Sequence, residues 1–468
     1  MENEKLAAVI LAAGRGTRMK SSRSKVLHEL CGAPMGRYPI QAARAAGADP
    51  VIMVIGHDPE NVRNAFAAEK ILFALQHDQL GTGHALLCAE EALDDYAGTL
   101  LLLCGDVPLL TGATLSRFVQ QHRANQAAVT VLTIHQPDPR GYGRIVRQGG
   151  EVLRIVEEKD ATDEEKKITE VNTGIYLFET PLVFHLLHAL GNGNAQGEYY
   201  LTDTVHMARD RGARVGAVSA ADRQEVLGIN DRVQLAEAEA VLRRRINDAH
   251  MENGVTLIDP AVTYIDGTVE IAADTLIHPN VHIRGQTLIG AHCIIEPGAV
   301  IDDSHIDDHC HIKAGSVIQG ARIGAASQIG PMAHLRFGTV LRGHNKIGNF
   351  VETKKADIGE HTKASHLTYL GDSDIGADVN IGCGTITCNY DGVGKHKTII
   401  EDQVFVVAPN QVGRAAPAGR GSADSALSIL ACRAVMSCPA SRAHDSSFFS
   451  RASRSVDPSD IQRWSARS

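Results

Sequence analysis

Aromatic residues are scarce in this 468-residue chain, 4% of the total with a single Trp. Large ring clusters therefore cannot build its cores, and the 44 Gly point instead to many tight turns over small aliphatic side chains. There is no excess of base: the formal net charge is −9. That excludes nucleic acid or an anionic membrane as the main partner and confines any phosphate site to a local cluster of base and glycine. The nine cysteines form no CxxC pair and no metal-like spacing, so they read as free thiols of a reducing compartment. Long hydrophobic runs are missing too. The apolar stretch Ala7 to Ala13 is too short to span a bilayer and follows an acidic leader without a signal peptide's basic flank. The expectation is a cytoplasmic protein with no membrane partner.

What is present divides the chain by rhythm. Over residues 1–230, short β-branched runs (Ala8–Leu11, Val51–Ile55, Leu100–Leu103, Val129–Ile134, Gly174–Phe178) alternate with amphipathic stretches such as Tyr38–Ala46, Glu60–Ala68 and Gly83–Ala92. That alternation predicts a mostly parallel, doubly wound α/β sheet with its ligands at the carboxyl ends of the strands. Residues 231–252 read as one long charged linker helix. From 253 to 406 the period changes: Ile271, Ile277, Ile283, Ile289, Ile295 and Ile301 recur every six residues, and the ladder resumes at Ile306, Ile312, Ile318, Ile323 and Ile329. One hexapeptide per flat face predicts a parallel β-helix with stacked aliphatics along its axis. Residues 407–468 break the pattern. From 413 onward there are 13 Ser and eight Arg but no Lys and no Glu, so this segment reads as a disordered tail, or as not the ending that the rest of the chain was built for.

The first chemical constellation is Leu11-Ala12-Ala13-Gly14-Arg15-Gly16-Thr17-Arg18-Met19, followed by Lys25. A strand entering a glycine-rich turn lets backbone N–H groups face a phosphate chain, and Arg18 and Lys25 add positive charge. It is neither a P-loop, since GxxxxGK[ST] is absent, nor a dinucleotide fingerprint, since Met19 takes the third-glycine place. Further along stand Gln76, Gln79-Leu80-Gly81-Thr82-Gly83-His84-Ala85, Cys104-Gly105-Asp106-Val107-Pro108, Gly141-Tyr142-Gly143-Arg144, Val156-Glu157, Val171-Asn172-Thr173-Gly174, Gln196 to Asp203, and Asn230.

This set resembles the sugar-1-phosphate nucleotidyltransferases. Joined to a hexapeptide domain, it resembles, over residues 5–406, the bacterial family of bifunctional N-acetylglucosamine-1-phosphate uridyltransferase/glucosamine-1-phosphate acetyltransferases. The resemblance implies an α/β Rossmann-like nucleotidyltransferase domain followed by a left-handed parallel β-helix, a homotrimer, and synthesis of UDP-N-acetylglucosamine for peptidoglycan and lipopolysaccharide. It implies Mg²⁺ held by Asp106 and Asn230. UTP and the sugar would contact Leu11, Ala12, Ala13, Gly14, Lys25, Gln76, Gly81, Thr82, Cys104, Gly105 and Asp106, with the uridine read by Gln76, Gly81 and Thr82. N-acetylglucosamine-1-phosphate would be held by Gly143, Glu157 and Asn172. Uridylyl transfer needs positioning and charge neutralisation more than a protein nucleophile, and Arg18 with Lys25 beside a hard cation on oxygen ligands suits it.

In the β-helix, polar and aromatic residues recur near one coil length, so successive coils can stack them into one groove. By the same resemblance His366 is the general base that takes a proton from the amine of glucosamine-1-phosphate, a role suited to an imidazole. Arg336 and Lys354 would grip the sugar phosphate, and Tyr369 and Asn380 would position the sugar. Asn389 and Tyr390 would touch the co-substrate acetyl-CoA, beside Cys383, which replaces another small residue and reads as packing rather than catalysis. Phe337 stands where the family has proline. The family also completes its acetyl-CoA site beyond 406 with further coils and a basic arm, neither of which residues 407–468 resemble. An alternative reading therefore keeps only the uridyltransferase, with the β-helix as scaffold; a non-catalytic assembly protein is opposed by Gly14, Arg18, Lys25, Asp106 and Asn230 standing together.

Overall fold

The structure, a computed structural model, describes residues 5–389 and 393–407. Buried aliphatic runs form β1 (Leu6–Leu11), β2 (Val51–Ile55), β3 (Leu72–Leu75), β4 (Thr99–Cys104), β5 (Val129–His135), β6 (Arg144–Gln148), β7 (Glu151–Val156), β8 (Glu170–Glu179) and β9 (Val215–Ser219). They make one sheet in the order β9-β5-β8-β4-β1-β2-β3, with the β6–β7 hairpin attached to β8. Side chains of β1 alternate between its two faces: Ala8 and Ile10 join one core with Ile40, Phe66 and Phe118, while Ala7 and Val9 join the other with Leu86, Phe178 and Phe184. Burying both faces is what makes these strands nearly uninterrupted in apolar residues.

The sheet is less uniformly parallel than the alternation suggested. Strand β8 runs antiparallel to both β4 and β5, and the β6–β7 hairpin is antiparallel as well. In β8 the register shifts between Asn172 and Tyr176, where Gly174 takes a positive φ of 78°. A Cβ on Gly174 would lie 3.0 Å from Cys104 Sγ. The bulge thus sets Gly174 against Cys104 at the carboxyl end of β4, and Gly174 N donates to Asn172 Oδ1.

Helix Arg232–Glu252 follows, opened by Asp231, whose carboxylate accepts from Val233 N and Gln234 N. It carries the chain into a parallel coil stack, 20 strands among the described residues, a left-handed β-helix. Ile277 pairs in register with Ile295, Ile295 with Ile312 and Ile312 with Ile329; Ile271, Ile289, Ile306 and Ile323 form a second ladder. The ladders are buried along the axis, each isoleucine contributing about 1.5–3 kcal/mol of burial. Where the sequence spacing drops from six to five, at Ile301–Ile306, the stacked partners lie 17 rather than 18 residues apart. Each corner needs a left-handed residue, and one corner column runs Asp274, His292, His309, Ala326, His344, His361, Asp378, all at φ between 53° and 61°. Asp and His tolerate that conformation better than most side chains. Stacking of His292 on His309 and of His344 on His361 gives these histidines a structural place. Among the described residues no helix is long and apolar enough to cross a membrane. The expectations for Tyr390 and for 408–468 lie outside the described residues.

Candidate active sites

The glycine turn leaves β1 between β2 and β4. Ala12 N bonds Val54 O at 2.8 Å and Gly105 N bonds Leu11 O at 2.9 Å, so the turn and the Asp106 loop are fixed to each other. Gly14 is exposed, and a Cβ there would meet nothing within 4 Å; the space above the turn is open. Gly16, at φ 57°, lies so close to Lys25 that a Cβ would come within 2.9 Å of Lys25 Cβ. That approach drops Lys25 onto the end of β4.

There the Lys25 ammonium donates to Asp106 Oδ2 and to Asn230 Oδ1 at 3.0 Å, and Arg18 donates to the same Asn230 oxygen at 2.8 Å. The Asn230 loop is joined to Asp106 by Ile229 N on Asp106 O at 2.9 Å, and Arg232 holds Met19 O. Residues from four separate segments thus converge. Beneath them the half-buried Cys104 has its thiol pushed up to about 12 by burial and by the neighbouring Asp106 carboxylate, with Lys25 opposing; it is a neutral packing group. No cluster of three His, Cys, Asp or Glu suited to a metal exists among the described residues. A carboxylate and an amide oxygen converge on one cationic position, now taken by the ammonium, and that donor chemistry fits a hard cation whose other ligands come from phosphate.

Gln76 is buried at 3% exposure and faces the Gly81-Thr82 loop, which is pinned to Tyr199 by Gly83 N on Tyr199 O (2.9 Å) and Tyr199 N on Leu80 O (2.8 Å). Thr82 Oγ1 accepts from Leu201 N. Arg15 reaches across from the glycine turn to Gln79. On the other side, a Cβ on Gly143 would sit 3.4 Å from Glu157 Oε1 and 3.6 Å from Asn172 Cβ, so all three residues expected to hold the sugar are neighbours. Asn172 N donates to Gly143 O. Burial holds the Glu157 carboxyl above the ordinary range, against a 3.2 Å bond from Thr202 Oγ1 that lowers it. A folded state that grips this proton more tightly than the unfolded chain loses stability as pH rises from the ordinary glutamate range through the raised one. Glu157→Gln should therefore melt higher than wild type at neutral pH, an advantage that fades as pH falls through the raised range and is gone below about 4. The same substitution should raise KM for the sugar phosphate about tenfold, since a charged acceptor is lost. Equal melting temperatures at neutral pH would contradict the burial penalty.

In the β-helix the register decides which residues meet. Leu335 pairs with Thr353, and Lys354 with Gly371, so Arg336 and Lys354 stack in one column. Arg336 donates to Glu352 at 2.7 Å. Glu352 pairs with Tyr369, whose ring lies over Gly371 so closely that a Cβ there would strike it. Arg336, Lys354 and Tyr369 therefore share one face. His366 sits before the Leu367 corner (φ 42°), paired with Asn349, and is exposed. Asn380 pairs with Lys363, on the face that precedes this corner, so one chain does not bring it to Arg336. Cys383 is exposed rather than packed, one coil beyond His366. Asn389 donates to Asp372. Phe337 is 73% exposed at the next corner. Glu352, Gly371 and Thr202 lie within the motif segments but carry no expected role; only the fold shows Thr202 on Glu157 and the coil register Glu352 and Gly371 beside Arg336 and Tyr369.

Residues 8–195 match the family model of the MobA-like NTP transferase domain, and residues 262–356 match that of the GMPPB C-terminal domain. The bifunctional protein GlmU of Syntrophotalea carbinolica is 58% identical over 428 residues, covering 90% of this chain and 92% of that protein. Its counterpart in Pelobacter propionicus is 56% identical over 418 residues, 88% of this chain and 91% of the other. That of Shouchella clausii is 46% identical over 441 residues, 92% and 97%.

Proposed function

The chain belongs to the bifunctional GlmU family, and from that premise we propose how its residues divide the synthesis of UDP-N-acetylglucosamine. It is a glucosamine-1-phosphate acetyltransferase and a UDP-N-acetylglucosamine diphosphorylase. The amine of glucosamine-1-phosphate takes the acetyl group of acetyl-CoA; the acetylated sugar phosphate then attacks the α-phosphorus of UTP and pyrophosphate leaves.

In the uridylyl step the turn that follows the last ladder bond of β1, at Ala13 and Gly14, lines the triphosphate, and Arg18 and Lys25 offset the charge of two approaching anions. Gly143, Glu157 and Asn172 orient the sugar so that its phosphate oxygen points at the α-phosphorus. Mg²⁺ on Asp106 and Asn230 would add charge stabilisation that the side chains alone lack. In the acetyl step Arg336 and Lys354 hold the sugar phosphate, Tyr369 and Asn380 orient the ring, and His366 removes the amine proton. Asn389 and the exposed Cys383 lie one coil further on, toward acetyl-CoA. The convergence of Arg18, Lys25, Asp106 and Asn230 carries this reading.

We read 1–230 as the uridyltransferase domain, 231–252 as linker and 253–406 as the acetyltransferase domain. A homotrimer is supported by an exposed apolar corner, Met332 (58%), Phe350 (56%) and Leu367 (60%), stacked between the Arg336 face and the Asn380 face. A second copy packed on that corner would close the groove that one chain leaves open. Sedimentation should show a trimer, and a stable monomer would contradict it. A cytoplasmic location is supported by the cysteines, all free among the described residues. One coupled assay tests the whole: both pyrophosphate and free CoA should appear. Pyrophosphate alone would reduce the β-helix to a scaffold, and neither would overturn the proposal.

A further inference from the structure

Strand β3 delivers the Gln76 amide into the site, and two groups decide which way it faces. Its Nε2 lies 3.3 Å from Gly81 O and 3.0 Å from His84 Nδ1. A carbonyl oxygen only accepts, so the edge toward Gly81 has to be the NH₂; turning the amide would set two acceptor oxygens against each other. His84 Nδ1 must then accept the second N–H, which places the imidazole proton on Nε2. Both amide protons are thereby used within the protein, and no described residue donates to Oε1. The frame is stiff: Gly81 O also accepts from Ala85 N at 3.1 Å, and a Cβ on Gly81 (φ 111°) would come within 2.7 Å of Tyr199 O.

An acceptor edge discriminates between pyrimidines. Uracil offers an N3–H donor, whereas cytosine offers a bare N3 lone pair that would face Oε1 as a second acceptor. We propose that His84 is a positioning residue for base selection: by accepting from Gln76 it commits Oε1 to the N3–H of uracil and so favours UTP over CTP. The proposal rests on reading Gln76 as the base-contacting residue. With His84 gone, one Nε2–H loses its partner and only Gly81 O opposes rotation of the amide.

The test is the ratio of kcat/KM for UTP to that for CTP, followed by pyrophosphate release in the full-length chain, for wild type, His84→Ala and His84→Asn. Asparagine carries Oδ1 the same two bonds from Cβ as Nδ1, so it can restore the acceptor. His84→Ala should lower the ratio at least about tenfold, the loss of one positioning hydrogen bond, with KM for N-acetylglucosamine-1-phosphate unchanged. His84→Asn should keep the ratio within about threefold of wild type. An unchanged ratio in an active His84→Ala enzyme, or an equal fall in both variants, would overturn the role of His84. Should His84→Ala fail to fold, a tenfold fall in His84→Asn would do the same. Wild-type enzyme that uses CTP as readily as UTP would overturn the reading of Gln76 along with it.

Discussion

Asp106→Ala should cut pyrophosphate release at least about a thousandfold, a loss of about 4 kcal/mol of transition-state stabilisation, while CoA release in the same preparation stays at the wild-type rate. The side chain is the acid that meets Asn230 and Lys25 at one point, and its backbone is held by Ile229 N, so its position does not depend on ligands. Two anions must approach each other for the α-phosphorus to be attacked, and the site answers with Arg18, Lys25 and the cation that the Asp106 and Asn230 oxygens suit. Alanine removes the carboxylate proposed to hold that cation and leaves Lys25 its bond to Asn230. Asp106→Asn keeps shape and loses charge, so it should fall nearly as far; full activity in either variant would refute the ligand assignment. Asp106 is half-exposed and caps no helix, so the fold should survive both substitutions.

His366→Ala should lower CoA release by about two to four orders of magnitude, the usual weight of a positioned general base, and leave pyrophosphate release untouched. The imidazole stands exposed at the Leu367 corner, while the His366 main chain pairs with Asn349 and its backbone carbonyl accepts from Thr368 Oγ1 at 2.7 Å. Nothing in that arrangement makes the side chain a support of the coil, so lost activity with an unchanged melting temperature is the expected signature. Retained CoA release would move the base role elsewhere. Together the two substitutions should separate the half-reactions cleanly, because Asp106 and His366 stand on separate sheets with the helix Arg232–Glu252 between them in the chain.

Much of this was legible in the residues because the forces are local and periodic. A ladder of isoleucines six apart can be buried on one side of a coil and hardly anything else, and a glycine turn after a buried strand, joined by Arg18 and Lys25, suits an anion. What escaped depends on partners remote in sequence. No local signal marks β8 as running against its neighbours, since a strand buried on both faces reads the same in either direction. The pairing of Arg336 with Glu352 requires the coil register, and the part played by His84 requires knowing that Gly81 O and Nδ1 face the same amide. Asn380 and Arg336 looked like one groove because they recur near coil length; the Leu367 corner puts them on different faces, and this is why a second copy enters the acetyltransferase proposal.

The most direct test of the central claim, that the amino-terminal glycine turn and the Asp106 strand end together bind a nucleotide with a divalent cation, is calorimetric titration of the purified chain with UTP, with and without magnesium. Saturable binding that strengthens with magnesium and loses that dependence in Asp106→Ala is the predicted result. A flat titration under both conditions, from a protein shown to be folded, would contradict it.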